Sequence, residues 1–289
     1  MSDDGEMAIV IIALLGNPFS PRYAAARQRG PAPSALAFSS MNVALYARGA
    51  SAWTLAERPV VESARSATDL SIGASSMRWT GDRLVVAIDE RTTPLGRPLR
   101  GTIVLHPEAH TNLEFSIDEN DAHRWWPIAP ISRVDVDFQS PRLRFSGHGY
   151  HDANAGETPL ESAFEEWSWS RARRGDTAVL TYDVACASGA QRSLTLEVAP
   201  DGSVEELGGL EPSPLAPTIW RLPRATRADS GHHGRIIRSL EDGPFYARTL
   251  VGTQIGGHPV VAMHETLAAH RLRSPLVRLL ARCRMRHPR

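Results

Sequence analysis

Short strand-like runs separated by turn residues dominate this sequence, and helical periodicity is scarce. Residues 76–79 and 83–89 are two such runs, and the Gly-Asp pair at 81–82 is typical of a hairpin turn. Residues 133–138 alternate valine or phenylalanine with charged side chains, as a strand with one buried face does. The pattern therefore predicts an all-β fold.

The same pattern extends towards the C-terminus with one interruption. Further strands are expected at residues 101–105, 142–145, 177–184 and 192–198. A stretch rich in Gly, Asn and Pro interrupts them at 152–159. We therefore predict two β-domains in tandem, over residues 1–155 and 156–289.

The clearest helical signal lies at residues 274–289. Ser274 is a suitable helix cap, Pro275 stands at the first helical position, and arginines line one face. Such a basic amphipathic segment lies on an anionic membrane surface, packs as a solvated helix against the barrel, or is a frayed terminus.

Composition and the N-terminal region bear on partners and compartment. Basic and acidic residues both number 32, so no global field favours nucleic acid. The apolar run at residues 7–15 is about half the roughly 20 residues of a spanning helix, and acidic residues precede it. A buried strand is predicted there. Two cysteines, Cys186 and Cys283, do not make a disulfide framework in a chain of this length, which favours a reducing, cytoplasmic location.

Several familiar chemical sites are absent from the sequence. We find no phosphate-binding glycine loop, no nucleotide fingerprint, no metal-spaced Cys/His cluster and no nucleophile elbow. The adjacent His232 and His233 would point to opposite faces of a strand, so a shared metal is not expected. No cofactor and no metal are therefore predicted.

What remains is a group of aromatic, histidine and carboxylate residues between positions 123 and 171. His123 and Trp125 are two residues apart, as are Tyr150 and Asp152, so each pair shares one face of an extended strand. Trp167 and Trp169 repeat this spacing, and Trp126 follows Trp125.

Simple alternation raises a difficulty for one of these pairs. If Phe145 faces the core, Tyr150 and Asp152 lie on the opposite face. A bulge or reversal at Gly147 and Gly149 is the expected remedy.

With these residues the chain resembles the carotenoid 1,2-hydratases, also called hydroxyneurosporene synthases. Shorter matching motifs lie at residues 16–23, 41–46, 53–57 and 124–130. The most specific stretches are Gly-His-Gly-Tyr-His-Asp-Ala-Asn-Ala-Gly at 147–156, Phe-Glu-Glu-Trp-Ser-Trp-Ser-Arg at 164–171 and Leu-Glu-Asp-Gly-Pro-Phe-Tyr-Ala-Arg at 240–248.

The resemblance implies a fold and a reaction. The fold is two lipocalin-like (calycin-type) antiparallel β-barrel domains in tandem, with a short C-terminal helix. The reaction is hydration of the terminal C1=C2 bond of acyclic carotenoids such as neurosporene and lycopene. The family's His-x-Trp and Tyr-x-Asp pairs correspond here to His123 with Trp125 and to Tyr150 with Asp152.

Two positions depart from the family pattern. A strand rich in Trp and Tyr usually precedes the Asp-Asp-Gly turn, which here stands at residues 3–5, so the first domain is expected to lack one strand. His151 stands where an apolar residue is more usual.

The mechanism expected from this resemblance begins with Asp152 as a carboxylic acid, held protonated by apolar surroundings, that protonates C2. Trp125 and Tyr150 would stabilise the cation at C1 through their ring faces. Water then attacks C1, while His123 either orients Asp152 or accepts the proton. Trp126, Trp167 and Trp169 are predicted to contact the polyene. Since that polyene resides in the bilayer, peripheral association with the cytoplasmic membrane face is expected.

Other functions and roles stay open from the sequence alone. The same two-domain pocket suits a pericyclase or cyclase of a natural-product pathway, or a non-catalytic binder of lipid or pigment. Asp152 also suits an Asx-turn, and His123 and Trp125 suit ordinary core packing.

Overall fold

The computed structural model describes residues 1–29 and 33–284, and antiparallel strands account for most of them. The all-β prediction is thus confirmed. The chain divides into two compact units. The first comprises Met1–Pro107, Ser132–Tyr150 and the residues from Arg278, and the second comprises Glu108–Ile131 and His151–Val277. The predicted boundary at residue 155 lies near Tyr150, after which the chain passes from the first unit into the second. That Glu108–Ile131 also belongs to the second unit was not predicted.

The first unit begins with a three-stranded sheet of order β1-β2-β3, followed by a meander of strands β4 to β8. These strands are β1 Ala8–Leu14, β2 Ser39–Tyr46, β3 Ala52–Arg58, β4 Ser63–Arg65, β5 Asp69–Ile72, β6 Ser75–Trp79, β7 Leu84–Arg91 and β8 Pro98–Ala109. Helix α1, Pro21–Gln28, and two 3₁₀ turns, Ala35–Phe38 and Val60–Glu62, connect them.

The predictions for this region are largely confirmed. The predicted hairpin forms, with Trp79 opposite Leu84 across β6 and β7. The apolar run becomes β1, which is half-buried over most of its length rather than fully buried. None of the helices in the two described ranges has the length and apolarity that a membrane crossing requires.

A long hairpin leads from one unit into the other. Its parts are β9 Phe115–Ser116, β10 His123–Ser140 and β11 Arg142–Gly156. In the second unit, β10 buries odd-numbered residues: His123, Trp125, Pro127, Ala129 and Ile131. In the first unit it buries even-numbered residues: Ser132, Val134, Val136 and Phe138. Because neighbouring strand residues point to opposite faces, β10 uses one face for each core.

The same rule resolves the difficulty at Asp152. Strand β11 is continuous from Arg142 to Gly156, so the chain does not reverse at Gly147 or Gly149 as expected. Phe145 is buried in the first unit, whereas Asp152, on the other face, belongs to the second unit. The predicted interruption beginning at Asp152 was placed too early, because the strand ends at Gly156.

The second unit is built on a seven-stranded antiparallel sheet of order β15-β14-β13-β12-β20-β19-β18. Its strands are β12 Phe164–Arg174, β13 Thr177–Cys186, β14 Gln191–Val198, β15 Val204–Glu206, β18 Arg235–Asp242, β19 Tyr246–Ile255 and β20 His258–Leu267. A separate ribbon is formed by β16 Leu210–Leu215 and β17 Arg224–Asp229. The ribbon is tied to the sheet by Arg224, whose Nη1 donates to Thr249 Oγ1 at 2.8 Å.

Short helices complete this part of the chain. They are α2 Leu160–Ala163, a 3₁₀ turn Ala269–Arg273 and α3 Pro275–Arg284. Helix α3 confirms the predicted C-terminal helix and begins at Pro275 as expected. The predicted continuation over 285–289 lies outside the described residues.

Gly147 offers a direct test of the N-terminal packing in the first unit. A Cβ atom at Gly147 would lie 2.0 Å from Met1 O and 2.7 Å from Ser2 Cα, because the N-terminal backbone lies against β11 there. We expect Gly147→Ala to destabilise the protein by about 1–3 kcal/mol, seen as a Tm several degrees lower in thermal unfolding. Gly149→Ala is the control, since its Cβ meets the end of the Leu105 side chain at 3.1 Å. Equal Tm values for both variants would contradict this packing.

Candidate active site

His123 is fixed from both sides in the second unit. Its Nδ1 lies 2.7 Å from Asp118 Oδ2, and its Nε2 lies 3.0 Å from the Thr158 carbonyl oxygen. Both partners are acceptors, so both ring nitrogens act as donors, which is the arrangement of an imidazolium paired with a carboxylate. The histidine is 2 % exposed and Asp118 is 6 % exposed, so this pair is well shielded from water.

The surroundings of His123 explain why it cannot shift easily. A Cβ at Gly156 would lie 2.4 Å from His123 Cδ2, so the absent side chain makes room for the ring. Phe164 packs against the other side, with ring centroids 4.7 Å apart in an edge-on arrangement. His123 therefore clamps the start of β10 to the segment that follows β11.

Asp118 is held by the turn that precedes β10. Its Oδ1 accepts a hydrogen bond from the Ala122 backbone N–H at 2.9 Å. Burial alone would oppose ionisation, but the bonds from His123 and from this backbone outweigh it and lower the pKa of the Asp118 carboxyl. The sequence analysis missed Asp118, although a carboxylate five positions before a buried histidine is a visible signal.

Trp125 and Asp152 form the direct contact of the site. The indole Nε1 of Trp125 donates to Asp152 Oδ2 at 2.9 Å. Trp125 is fully buried, whereas Asp152 is half-buried near the end of β11. The structure thus places the predicted acid against the predicted aromatic residue.

Aromatic rings surround this contact. Tyr182 meets Trp125 edge-on with centroids 5.3 Å apart, and Trp167 meets Tyr182 at 5.7 Å. Phe115 packs on Trp125 at 5.8 Å. Tyr182 was missed by the sequence analysis, because it sits in an ordinary strand and only the strand pairing reveals what it faces.

Two ionisable groups near Asp152 are held neutral around pH 7. Burial, reinforced by the negative charges of Asp152 and Glu265, raises the pKa of the Tyr182 phenol far above its ordinary value. Burial, together with the charge of His110, lowers the pKa of His151 to about 4. His151 is therefore neutral and half-buried. This fits its position, which is usually apolar in the family that the sequence resembles.

The remaining predicted residues are placed as follows. Trp169 is buried and lies opposite Tyr182 on the neighbouring strand. Trp126 points to the opposite face of β10 from Trp125, and its Nε1 donates to the Thr111 carbonyl at 3.0 Å. Tyr150 is half-buried on β11, two residues before Asp152, and its role stays a prediction. The same holds for substrate contact by the tryptophans.

His123 differs most from its predicted role. It was expected to orient Asp152 or to accept a proton, but its two nitrogens are bonded to Asp118 and Thr158 instead. With both nitrogens donating, the ring has no lone pair with which to take a proton from water. The geometry fits His123 as a clamp for the strand that carries Trp125.

No metal site is suggested by the side chains of the described part of the chain, where no three His, Cys, Asp or Glu residues are grouped to hold an ion. His232 and His233 are both exposed in the loop before β18. Cys186 is buried as a free thiol.

The comparisons with known proteins point to one family. The family model described as carotenoid hydratase CrtC matches residues 11–289. The acyclic carotenoid 1,2-hydratase of Thiocapsa roseopersicina is 44% identical over 287 residues, which cover 99% of this chain and 70% of the relative. That of Rubrivivax gelatinosus is 38% identical over 288 residues, covering 99% of this chain and 71% of the relative.

A solved structure resembles most of the chain in fold. A crystal structure of a protein described as an AttH from Nitrosomonas europaea superposes with a TM-score of 0.62 at 11% identity. The match covers 93% of this chain and 89% of that one. It supports the lipocalin-like, all-β architecture of the two units.

Asp118 yields a prediction about stability and pH. Because its pKa is lowered by folding, the ionised carboxyl stabilises the folded state at pH values above about 4, and this contribution is lost as pH falls further. Asp118→Asn should reduce the free energy of unfolding by about 2 kcal/mol at pH 7. The difference from the wild type should shrink below pH 4, as measured by urea unfolding across a pH series.

Asp121→Asn is the matched control, since Asp121 is exposed in the same turn. A difference between wild type and Asp118→Asn that stays constant down to pH 3 would contradict the ionised Asp118–His123 pair.

Proposed function

Since this chain belongs to the carotenoid hydratase CrtC family, we propose that it adds water across the terminal 1,2 double bond of acyclic carotenoids, with Asp152 as the acid. The observation that carries the residue assignment is the Trp125 Nε1–Asp152 Oδ2 hydrogen bond at 2.9 Å. It joins a group that can donate a proton to an aromatic wall that can stabilise the resulting cation.

The first step is proton transfer from Asp152 to C2 of the terminal alkene. The indole N–H of Trp125 donates to Oδ2 and so orients the carboxyl group that carries the transferred proton. The apolar polyene displaces water from the half-buried carboxyl when it binds, and loss of water favours the neutral acid. The carboxyl thereby still carries its proton when the alkene is in place to accept it.

The second step is stabilisation of the tertiary cation at C1. The ring faces of Trp125, Tyr182 and Trp167 offer negative potential in a site where a cation–π contact is worth about 2 kcal/mol or more. Tyr182 contributes as a neutral phenol, because its raised pKa keeps it protonated. The carboxylate left on Asp152 adds a compensating negative charge.

The last step is attack of water on C1, which gives a tertiary alcohol. The oxygen lone pair forms the new C1–O bond, and the oxonium then loses one proton to a base. Protonation and water addition change no oxidation state, so side-chain acids and bases are sufficient and we propose that no cofactor takes part.

The proposal is tested by the product and by one variant. Wild-type protein produced together with a lycopene- or neurosporene-forming pathway should yield pigments heavier by the mass of one water. Asp152→Asn should lower this yield by at least roughly 1000-fold, because the amide cannot donate the proton. Mass analysis of extracted pigments measures both.

Asp201→Asn, at an exposed turn of the second unit, is the control and should retain full activity. A product isomeric with the substrate would instead indicate a pericyclase or cyclase. Tight polyene binding without turnover, unchanged by Asp152→Asn, would indicate a pigment binder. Substantial activity in Asp152→Asn would refute the acid assignment.

We also propose that the protein reaches its substrate by docking on an anionic bilayer. The loop between β16 and β17 presents Ile219, 89% exposed, and Trp220, 45% exposed, and we call these two residues the apolar tip. Arg271 holds the loop by donating to the carbonyls of Trp220 and Arg221 at 2.8 and 3.0 Å. A tryptophan beside the exposed Arg221 suits the interface of an anionic membrane.

Removing the apolar tip should weaken this docking. We expect Ile219→Ser with Trp220→Ser to lower binding to phosphatidylglycerol-containing vesicles about tenfold or more, since two large apolar side chains are lost. Cosedimentation with vesicles measures the effect. The control is Ile237→Ser with Val261→Ser, which removes two apolar side chains, 43% and 44% exposed, elsewhere in the second unit. Equal vesicle binding by both double variants would rule out the tip as the docking element.

A further inference from the structure

We infer that Glu265 is the base that takes the proton from the attacking water, and that Arg248 and Glu241 hold it in position. The inference rests on the proposed hydration, because it assigns the group that completes that reaction. Glu265 lies on β20, outside the His-x-Trp and Tyr-x-Asp pairs.

Strand pairing places Glu265 on the same face of the sheet as the aromatic residues of the site. Glu265 is paired with Trp169 across β20 and β12, and Trp169 is paired with Tyr182 across β12 and β13. Residues paired across antiparallel strands project from the same face. Tyr182 in turn contacts Trp125, which binds Asp152.

The strand register separates Glu265 from Tyr182 along the sheet, with Trp169 between them on the same face. Neighbouring strands are about 4.8 Å apart, so the backbones of Glu265 and Tyr182 are separated by roughly 10 Å. Asp152 is linked to Tyr182 through Trp125, which binds the carboxyl and contacts the phenol ring, whereas Glu265 is linked to Tyr182 through Trp169. Two carboxyl groups placed apart in this way allow one to donate a proton while the other activates a water, as in inverting glycosidases.

Electrostatics agrees with this placement. The charges of Asp152 and Glu265 both help to raise the pKa of the Tyr182 phenol, so both carboxylates lie within electrostatic range of the same ring. A cation formed beside Tyr182 would therefore be stabilised by the negative charge of either carboxylate.

A buried arginine holds Glu265. Arg248 is 1% exposed, its Nε donates to Glu265 Oε1 at 2.8 Å, and its Nη1 lies 3.4 Å from Glu241 Oε2. One cation shared by two carboxylates leaves this group with a net negative charge. Because Arg248 binds at Oε1, the carboxylate keeps acceptor capacity on Oε2 for a water.

His123, the other candidate for the base, already uses both ring nitrogens in hydrogen bonds. Both of its nitrogens donate to Asp118 and Thr158, so it cannot accept the proton. In the completed step the water oxygen bonds to C1, one of its O–H bonds breaks, and that proton moves to Glu265. Proton return from Glu265 to Asp152 through solvent then restores both groups.

Deuterium labelling separates the two halves of the reaction. In D₂O, Asp152 delivers deuterium to C2, and the cation either captures water or loses a proton and returns to an alkene. Wild type should give mainly deuterated alcohol. Glu265→Gln should lower alcohol formation roughly 100-fold while deuterium still enters the recovered carotenoid, because protonation persists without capture. Mass spectrometry gives the ratio of alcohol to labelled alkene.

Three comparisons make the result decisive. Glu265→Asp should recover part of the alcohol yield, and Glu205→Gln, exposed on β15, should match wild type. Asp152→Asn should lose both alcohol and label. Parallel loss of both in Glu265→Gln, or a wild-type product ratio in that variant, would overturn the inference. Absence of alcohol from the wild type itself would instead refute the proposed function.

Discussion

The hydrogen bond between Trp125 and Asp152 is the contact around which the site is organised. It joins β10 to the end of β11 and sets a carboxyl group against a wall of aromatic rings. The bond depends on the position of β10, which the buried His123–Asp118 pair fixes through contacts to the chain on both sides of it. The acid is thus oriented by packing as well as by its own hydrogen bond.

Charge in the second unit is distributed to suit a transient cation. The charges of Asp152 and Glu265 both act on Tyr182, and Glu265, which shares Arg248 with Glu241, projects from the same face of the sheet as Tyr182. His123 and Arg248 are each bonded to carboxylates. Fixed negative charge and aromatic faces therefore remain to meet a carbocation, with little reorganisation during the reaction.

Much of the fold was predictable because its strands are locally encoded. Two strand-like runs around a Gly-Asp turn predicted the hairpin of β6 and β7, and the Ser-Pro start predicted helix α3. The placement of Asp152 could not be predicted in the same way. Alternation put it opposite Phe145, which looked like a conflict, because one strand was assumed to serve one core. Strand β11 instead belongs to both units, so each of its faces has its own interior.

The sequence by itself determined the fold class, the family and the pairing of His with Trp and Tyr with Asp, since these follow from local periodicity and short motifs. Only the tertiary structure decided that His123 binds Asp118 and Thr158 rather than Asp152, and that Tyr182 and Glu265 share a face of the sheet. The reason is physical. A side chain's direction along a strand is fixed by its neighbours in sequence, but its partners are fixed by strand register, which depends on residues far away in the chain.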